Sequence, residues 1–206
     1  MRFIFLLILF PLFGFASSHA LFTPPEGWKQ ADPKSVTKRT IIAFLHTKKS
    51  GFCPSINLTK EIVKLPIDAY LKIVQKKSQA RKRSWKHLGQ IETKGGMAEL
   101  IEIEVQTRFG PARLLQAILL KDNVAHILTA GALKKQFGKY LPQFETTLRS
   151  LSVSEDLFSL VTEEKRTALT SAWKKKQEYV ESKELEEMVA ECAHLGIVWQ
   201  TLMLKL

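Results

Sequence analysis

Between residues 65 and 130 the spacing of apolar residues changes once, from 3.6 to 2, and that change restricts the chain to helices layered on antiparallel strands. In LPIDAYLKIVQKKSQARKR, Leu65 to Arg83, the residues Ile67, Tyr70, Leu71, Val74 and Ser78 fall on one helical face. Lys72, Lys76, Gln79 and Arg83 fall on the opposite one. Pro66 suits a first helical position and Asp68 a first turn. From His87 onward the period is two. HLGQIET, MAELIEIEV, PARLLQAILL and VAHILTA, punctuated by Gly95-Gly96 and Asp122-Asn123, predict four successive strands in an antiparallel meander. Ile101, Ile103 and Val105 oppose Glu102 and Glu104, which predicts a half-exposed strand. LLQAILL is apolar on both faces and is expected at the sheet centre.

Upstream, TPPEGWKQADPK is turn-rich, with Pro24, Pro25, Gly27 and Pro33. RTIIAFLH, around Ile41 to His46, and SINLT, 55 to 59, read as two strands of a hairpin joined by TKKSGFCP. Downstream, Phe137, Tyr140, Leu141, Phe144 and Leu148 form one stripe of a helix from about Leu133 to Leu148. The expected class is therefore α+β: a hairpin plus a four-strand meander in an antiparallel sheet with flanking helices. Ser152-Val153-Ser154-Glu155 has capping-box spacing and predicts the start of a helical C-terminal extension. A second helical stretch is expected from roughly Ser182 to His194, stopping at Gly196.

The first twenty residues, MRFIFLLILFPLFGFASSHA, carry one early Arg2, an apolar run from Phe3 to Phe15 and small residues up to Ala20. This is the pattern of a secretory leader cleaved near Ala20. The run is short for a spanning helix and is interrupted by Pro11 and Gly14. No cysteine lies near the cut, so a lipid-anchored form has no support, and no later segment is long and apolar enough to span. The expected organisation is a leader at 1–20, an α+β domain at 21–151 and a helical extension at 152–206. The expected location is the periplasm or another part of the envelope.

Without the leader the chain has 30 basic and 20 acidic residues. Residues 21–151 hold 23 and 10 of these, and 152–206 hold 7 and 10. The surplus favours anionic partners. Lys72, Lys76, Lys77, Arg81, Lys82, Arg83 and Lys86 are the candidate cationic face, read as the outer side and end of the helix that begins near Pro66. Export removes nucleic acid from the expected partners and leaves an envelope protein or an anionic lipid surface.

Chemistry-bearing motifs are sparse. Cys53 and Cys192 are a candidate disulfide that would clip the extension to the core, and two free, partly buried thiols are the equal alternative. Cys192 and His194 diverge by about 200° on a helix and do not make a metal pair. His46 and His126 lie within strands and read as core or surface histidines. Glu102 and Glu104 share a strand face, a commonplace spacing. The chain lacks GxSxG, HExxH and Gly-rich phosphate-loop signatures, so neither a catalytic residue nor a cofactor is expected. Asn57-Leu58-Thr59 matches a glycosylation acceptor, a pattern short enough to arise by chance. Trp85 adjoins the basic cluster and is expected to point inward.

The order of elements resembles the fold shared by the PsbP, Mog and DcrB proteins. Local features over about 21–151 are similar as well: Pro25-Glu26-Gly27-Trp28, Pro54-Ser55-Ile56-Asn57-Leu58, Gly95-Gly96-Met97-Ala98, Asp122-Asn123, and Phe137 through Tyr140 to Phe144. The resemblance implies a non-catalytic binding or accessory module and carries over no catalytic residue; residues from 152 onward depart from the pattern. The expected function is thus a non-enzymatic accessory protein of the envelope that uses its cationic face. The alternatives are docking through the apolar tail, around Trp173, Trp199 and Leu202, and an enzyme with an unrecognised site.

Overall fold

The computed structural model describes residues 19–32, 35–37, 40–46, 51–154 and 166, 167, 170 and 171. In chain order the elements are β1 (His19–Leu21), β2 (Lys29–Gln30), β3 (Thr40–Leu45), β4 (Ser55–Ile62), α1 (Ile67–Ala80), β5 (Ser84–Thr93), β6 (Gly96–Thr107), β7 (Gly110–Lys121), β8 (Val124–Leu133), α2 (Lys134–Arg149) and β9 (Ser152–Ser154). The α+β class, the β3–β4 hairpin and the β5–β8 meander are all present.

Hairpin and meander join into one seven-stranded sheet of order β2-β3-β4-β8-β7-β6-β5. The joint is the antiparallel pairing of β4 with β8, from Ser55 opposite Gly131 to Ile62 opposite Val124. Asp122 and Asn123, with φ of 50° and 61°, make the two-residue turn between β7 and β8. The central strand is therefore β8 and not β7, although β7, which contains LLQAILL, is interior.

Among the described residues, α2 lies on one face of the sheet and α1 on the other. On one face, Ala98, Leu115, Ala117, Leu119, Leu128 and Ala130 alternate inward against Phe137, Tyr140, Phe144 and Leu148 of α2. On the other, Ile101, Ile103, Ile118 and Ala125 pack against Tyr70 and Leu71 of α1, with Ile67 and Val74 at the margin. Both helical stripes are the ones expected from periodicity.

Two expectations need correction. The helix at residue 67 stops at Ala80 and does not run to Arg83, because Arg83 N–H donates to the Ser78 carbonyl (3.0 Å) and Lys82 N–H to the Gln79 carbonyl (2.8 Å). That pair of bonds is a Schellman closure, with Lys82 at φ 54° in the left-handed position. Second, Ser152 does not open a helix, because Val153 and Ser154, which would be its first turn, are strand. Ser152 to Ser154 form β9, which pairs antiparallel with β1 as His19 with Ser154 and Leu21 with Ser152. Leu151 and Val153 are buried in the main core. Apolar burial and strand pairing outweigh a local capping signal worth about 1 kcal/mol. The expected cleavage site near Ala20 falls within β1. The second helical stretch of the extension lies outside the described residues.

The β5–β6 turn is tied to this closing segment. Lys94 N–H donates to the Arg149 carbonyl (3.0 Å) and Gly95 N–H to the Leu151 carbonyl (2.8 Å). A Cβ on Gly95 would lie 2.9 Å from the Val153 backbone nitrogen and 2.9 Å from a Leu119 methyl. By contrast, Gly138 on the exposed side of α2 has open space around it. Gly95→Ala should thus destabilise the protein by about 1–3 kcal/mol. Gly138→Ala should stabilise it by about 0.5–1 kcal/mol through helix propensity. Urea unfolding midpoints that move in opposite directions would bear this out.

Candidate cationic docking surface

Lys72, Lys76 and Lys77 are exposed on α1, away from the Tyr70–Leu71–Ser78 side that is buried. Arg81, Lys82 and Arg83 are exposed in the Schellman turn that follows. No ion pair to any of these six is present among the described residues. The seventh, Lys86, is also exposed, but it lies in β5 opposite Glu102. Strand alternation turns Lys86 to the α2 side of the sheet. The basic run therefore divides: six cations on the α1 side and one on the other.

The junction of β4 with α1 adds a feature that the sequence did not signal. A cleft of about 500 Å³ opens there. Its walls include Ile62, Leu65 and Ile73, which are 74%, 44% and 37% exposed, together with Lys60, Lys64 and Lys77. Val63 N–H donates to the Asn123 carbonyl (2.7 Å), fixing the end of β4 to the β7–β8 turn. Tyr70 Oη–H donates to Glu61 Oε2 at 2.6 Å, which engages the one carboxylate lining the cleft among the described residues. Ile73 sits outside the buried helical stripe, and Ile62 and Leu65 flank Pro66, so no single periodicity groups the three.

The polar residues singled out for possible chemistry serve structural roles. Glu104 accepts from Lys134 Nζ (2.9 Å) and Arg113 Nη2 (3.0 Å), and those bonds hold its carboxyl below the usual range. Arg113 also lies 3.5 Å from Glu102 and stacks over the Phe137 ring at 5.4 Å. The Glu102–Glu104 pair is thus neutralised by cations where α2 begins. Trp85 points inward as expected, packing on the α1-side core and stacking on His87 at 6.2 Å. His87 Nε2 lies 2.6 Å from Glu99 Oε2, and Gln90 Nε2 donates to Glu99 Oε1 at 2.7 Å. This trio straddles the β5 bulge between His87 and Gly89, an irregularity that strand alternation does not reveal.

His46 is held in an aromatic cluster, 5.7 Å from Trp28 and 5.4 Å from Tyr140. His126 is wholly buried in β8. No group of three metal-ligating side chains converges among the described residues. Cys53 has a half-buried free thiol. Its expected partner Cys192 lies outside the described residues, as do Trp173, Trp199 and Leu202.

No family model and no curated protein matches the chain. Among the solved structures similar to it are the following three. The cyanobacterial PsbP of Synechocystis sp. PCC 6803 is 13% identical, with 69% of this chain and 95% of that one covered and a TM-score of 0.47. LpqN of Mycobacterium tuberculosis, involved in cell envelope biogenesis, is 12% identical over 67% and 84%, with a TM-score of 0.47. PA94 of Pseudomonas aeruginosa, a protein of unknown function, is 13% identical over 64% and 94%, with a TM-score of 0.46. One of the three is a PsbP, the family that residues 21–151 resemble. Likenesses of this strength carry no argument about activity or partner.

Burial lowers the pKa of His126 to about 4, and the positive charge of Lys60 adds to the effect. His19 of β1 is lowered to about 4 by the same two causes. The unfolded chain, with histidines near 6.5, binds protons that the folded chain refuses between those values. Stability is thus full above pH 6.5 and falls as pH drops toward 4, by about 3 kcal/mol for His126 alone. His126→Gln should flatten that part of the curve, measured as unfolding free energy between pH 7 and pH 5.

Proposed function

We propose that this chain is an exported, non-enzymatic accessory protein of the cell envelope that binds an anionic protein or lipid partner through the α1 side of its sheet. The observation that carries the reading is the gathering of Lys72, Lys76, Lys77, Arg81, Lys82 and Arg83 on α1 and its closing turn, exposed and without ion-pair partners among the described residues. Lys82 gives independent support. A lysine at φ 54° costs about 1 kcal/mol relative to glycine, which the Schellman position ordinarily favours. A cation kept there against backbone preference fits a surface selected for charge.

Lys86 is left out of this surface because it faces the other side. The leader pattern supplies the compartment, and the compartment limits the anions on offer to envelope components.

The test is crosslinked capture from native envelope extract by the leader-processed chain at low and high salt. The expected result is capture that disappears in high salt and in the variant Lys72→Glu/Lys76→Glu/Arg83→Glu. Capture indifferent to both would overturn the reading. A second arm uses Lys82→Gly, which should raise stability by about 1 kcal/mol while weakening capture. A gain in stability with capture intact would remove Lys82 from the surface.

A further inference from the structure

We infer that the anionic partner is a bilayer surface, and that the β4–α1 cleft is where the protein enters it, with Leu65 and Ile73 seated among the headgroups and Lys64 and Lys77 on lipid phosphates. This rests on the reading of the cationic face given above and narrows it from an anionic partner to a lipid one.

The composition of the cleft favours lipid over protein. Protein interfaces are enriched in aromatic residues and arginine and depleted in lysine, and their strongest contacts are Trp, Tyr and Arg in closed pockets. Here the exposed apolar groups are all aliphatic and the cations lining the cleft are all lysines. Lysine suits a headgroup region because its stem lies along apolar surface while the ammonium reaches a phosphate. Leu65, 44% exposed, follows the exposed Lys64 in the link to α1, and Ile73, 37% exposed, lies one helical turn from Lys77, whereas Ile62, opposite Val124 in the register, faces the α2 side. Aliphatic side chains standing out in a ring of lysines give a surface both of the contributions on which interfacial binding depends, apolar insertion and attraction to anionic lipid.

The acidic groups nearby do not cancel this field. Glu61 is engaged by the Tyr70 hydroxyl at 2.6 Å. Asp68, exposed in the first turn of α1, is the other acid of the junction. Against these stand Lys64, Lys72, Lys76 and Lys77, all exposed. Lys72 and Lys76 lie one helical turn apart, as do Ile73 and Lys77, so the cleft is continuous with the charged face of α1.

The experiment is flotation of the leader-processed full-length chain with two kinds of vesicle, one of equal parts phosphatidylglycerol and phosphatidylcholine and one of phosphatidylcholine alone. Removal of the leader matters because its apolar run would itself bind lipid. The expected result is partition to the anionic vesicles only, reduced on the order of tenfold both by Leu65→Ser/Ile73→Ser and by Lys64→Glu/Lys77→Glu. All four positions are exposed, and far-ultraviolet circular dichroism checks that the variants fold. If Leu65→Ser/Ile73→Ser floats like wild type while charge reversal abolishes flotation, insertion is overturned and the cationic face stands. If neither vesicle floats the protein yet salt-sensitive capture of an envelope protein persists, the lipid inference fails and the broader reading survives. Loss of both vesicle binding and salt-sensitive capture would overturn the two together.

Discussion

The fold depends on one long-range pairing, that of β4 with β8. Residues 55 to 62 lie against residues 124 to 131, and no local signal brings them together. Once they pair, β5 must fall at the far edge of the sheet, four strand positions from β4. Four such steps span about 19 Å, and a helix of the 14 residues of α1 spans about 21 Å. The connection from β4 to β5 is therefore one helix laid over β8, β7 and β6. That crossing decides which apolar residues are covered and which are left out at the β4 end. The cleft with Ile62, Leu65 and Ile73 is a consequence of where the crossing begins.

Charge is distributed to match this architecture. Some cations on the α2 side meet carboxylates, Arg113 and Lys134 at Glu104 with Lys86 opposite Glu102 in the strand register, while Lys135 and Lys139 of α2 are exposed without an ion pair among the described residues. Cations on the α1 side have no such partners among the described residues. The edge strand β5 is interrupted by the bulge between His87 and Gly89, a device that discourages pairing with another chain. Association through the open edge is thus discouraged, while association through the α1 side is left open.

Much of this was legible in the residues. The stripes of α1 and α2 and the alternation of β6 and β7 follow from helical and strand periodicity alone, and Asp122-Asn123 marks its turn through the left-handed preference of both residues. The rank of β8 was harder to read. Its apolar content is mostly small, with Ala125, Ala130, Gly131 and Ala132, because helices lie over the sheet and Leu114 occupies the space beside Gly131. Small residues look less buried than LLQAILL although the strand is more so. Ser152 to Ser154 misled because a three-residue strand has no periodicity of its own and takes its state from His19 to Leu21, more than a hundred residues away. The helix end was missed because the Schellman position holds Lys82 where glycine is the usual marker. The cleft was invisible because its apolar members come from a strand end, a link and the wrong side of a helical stripe.

The central claim is directional: one side of the sheet meets the anionic surface and the other does not. Lysine acylation footprinting, with and without anionic vesicles, tests it directly, since exposed lysines stand on both sides. The account predicts protection of Lys64, Lys72, Lys76 and Lys77, with Lys86, Lys135 and Lys139 reacting as before. Protection of Lys86, Lys135 and Lys139 instead, or equal protection of both sets, would contradict it.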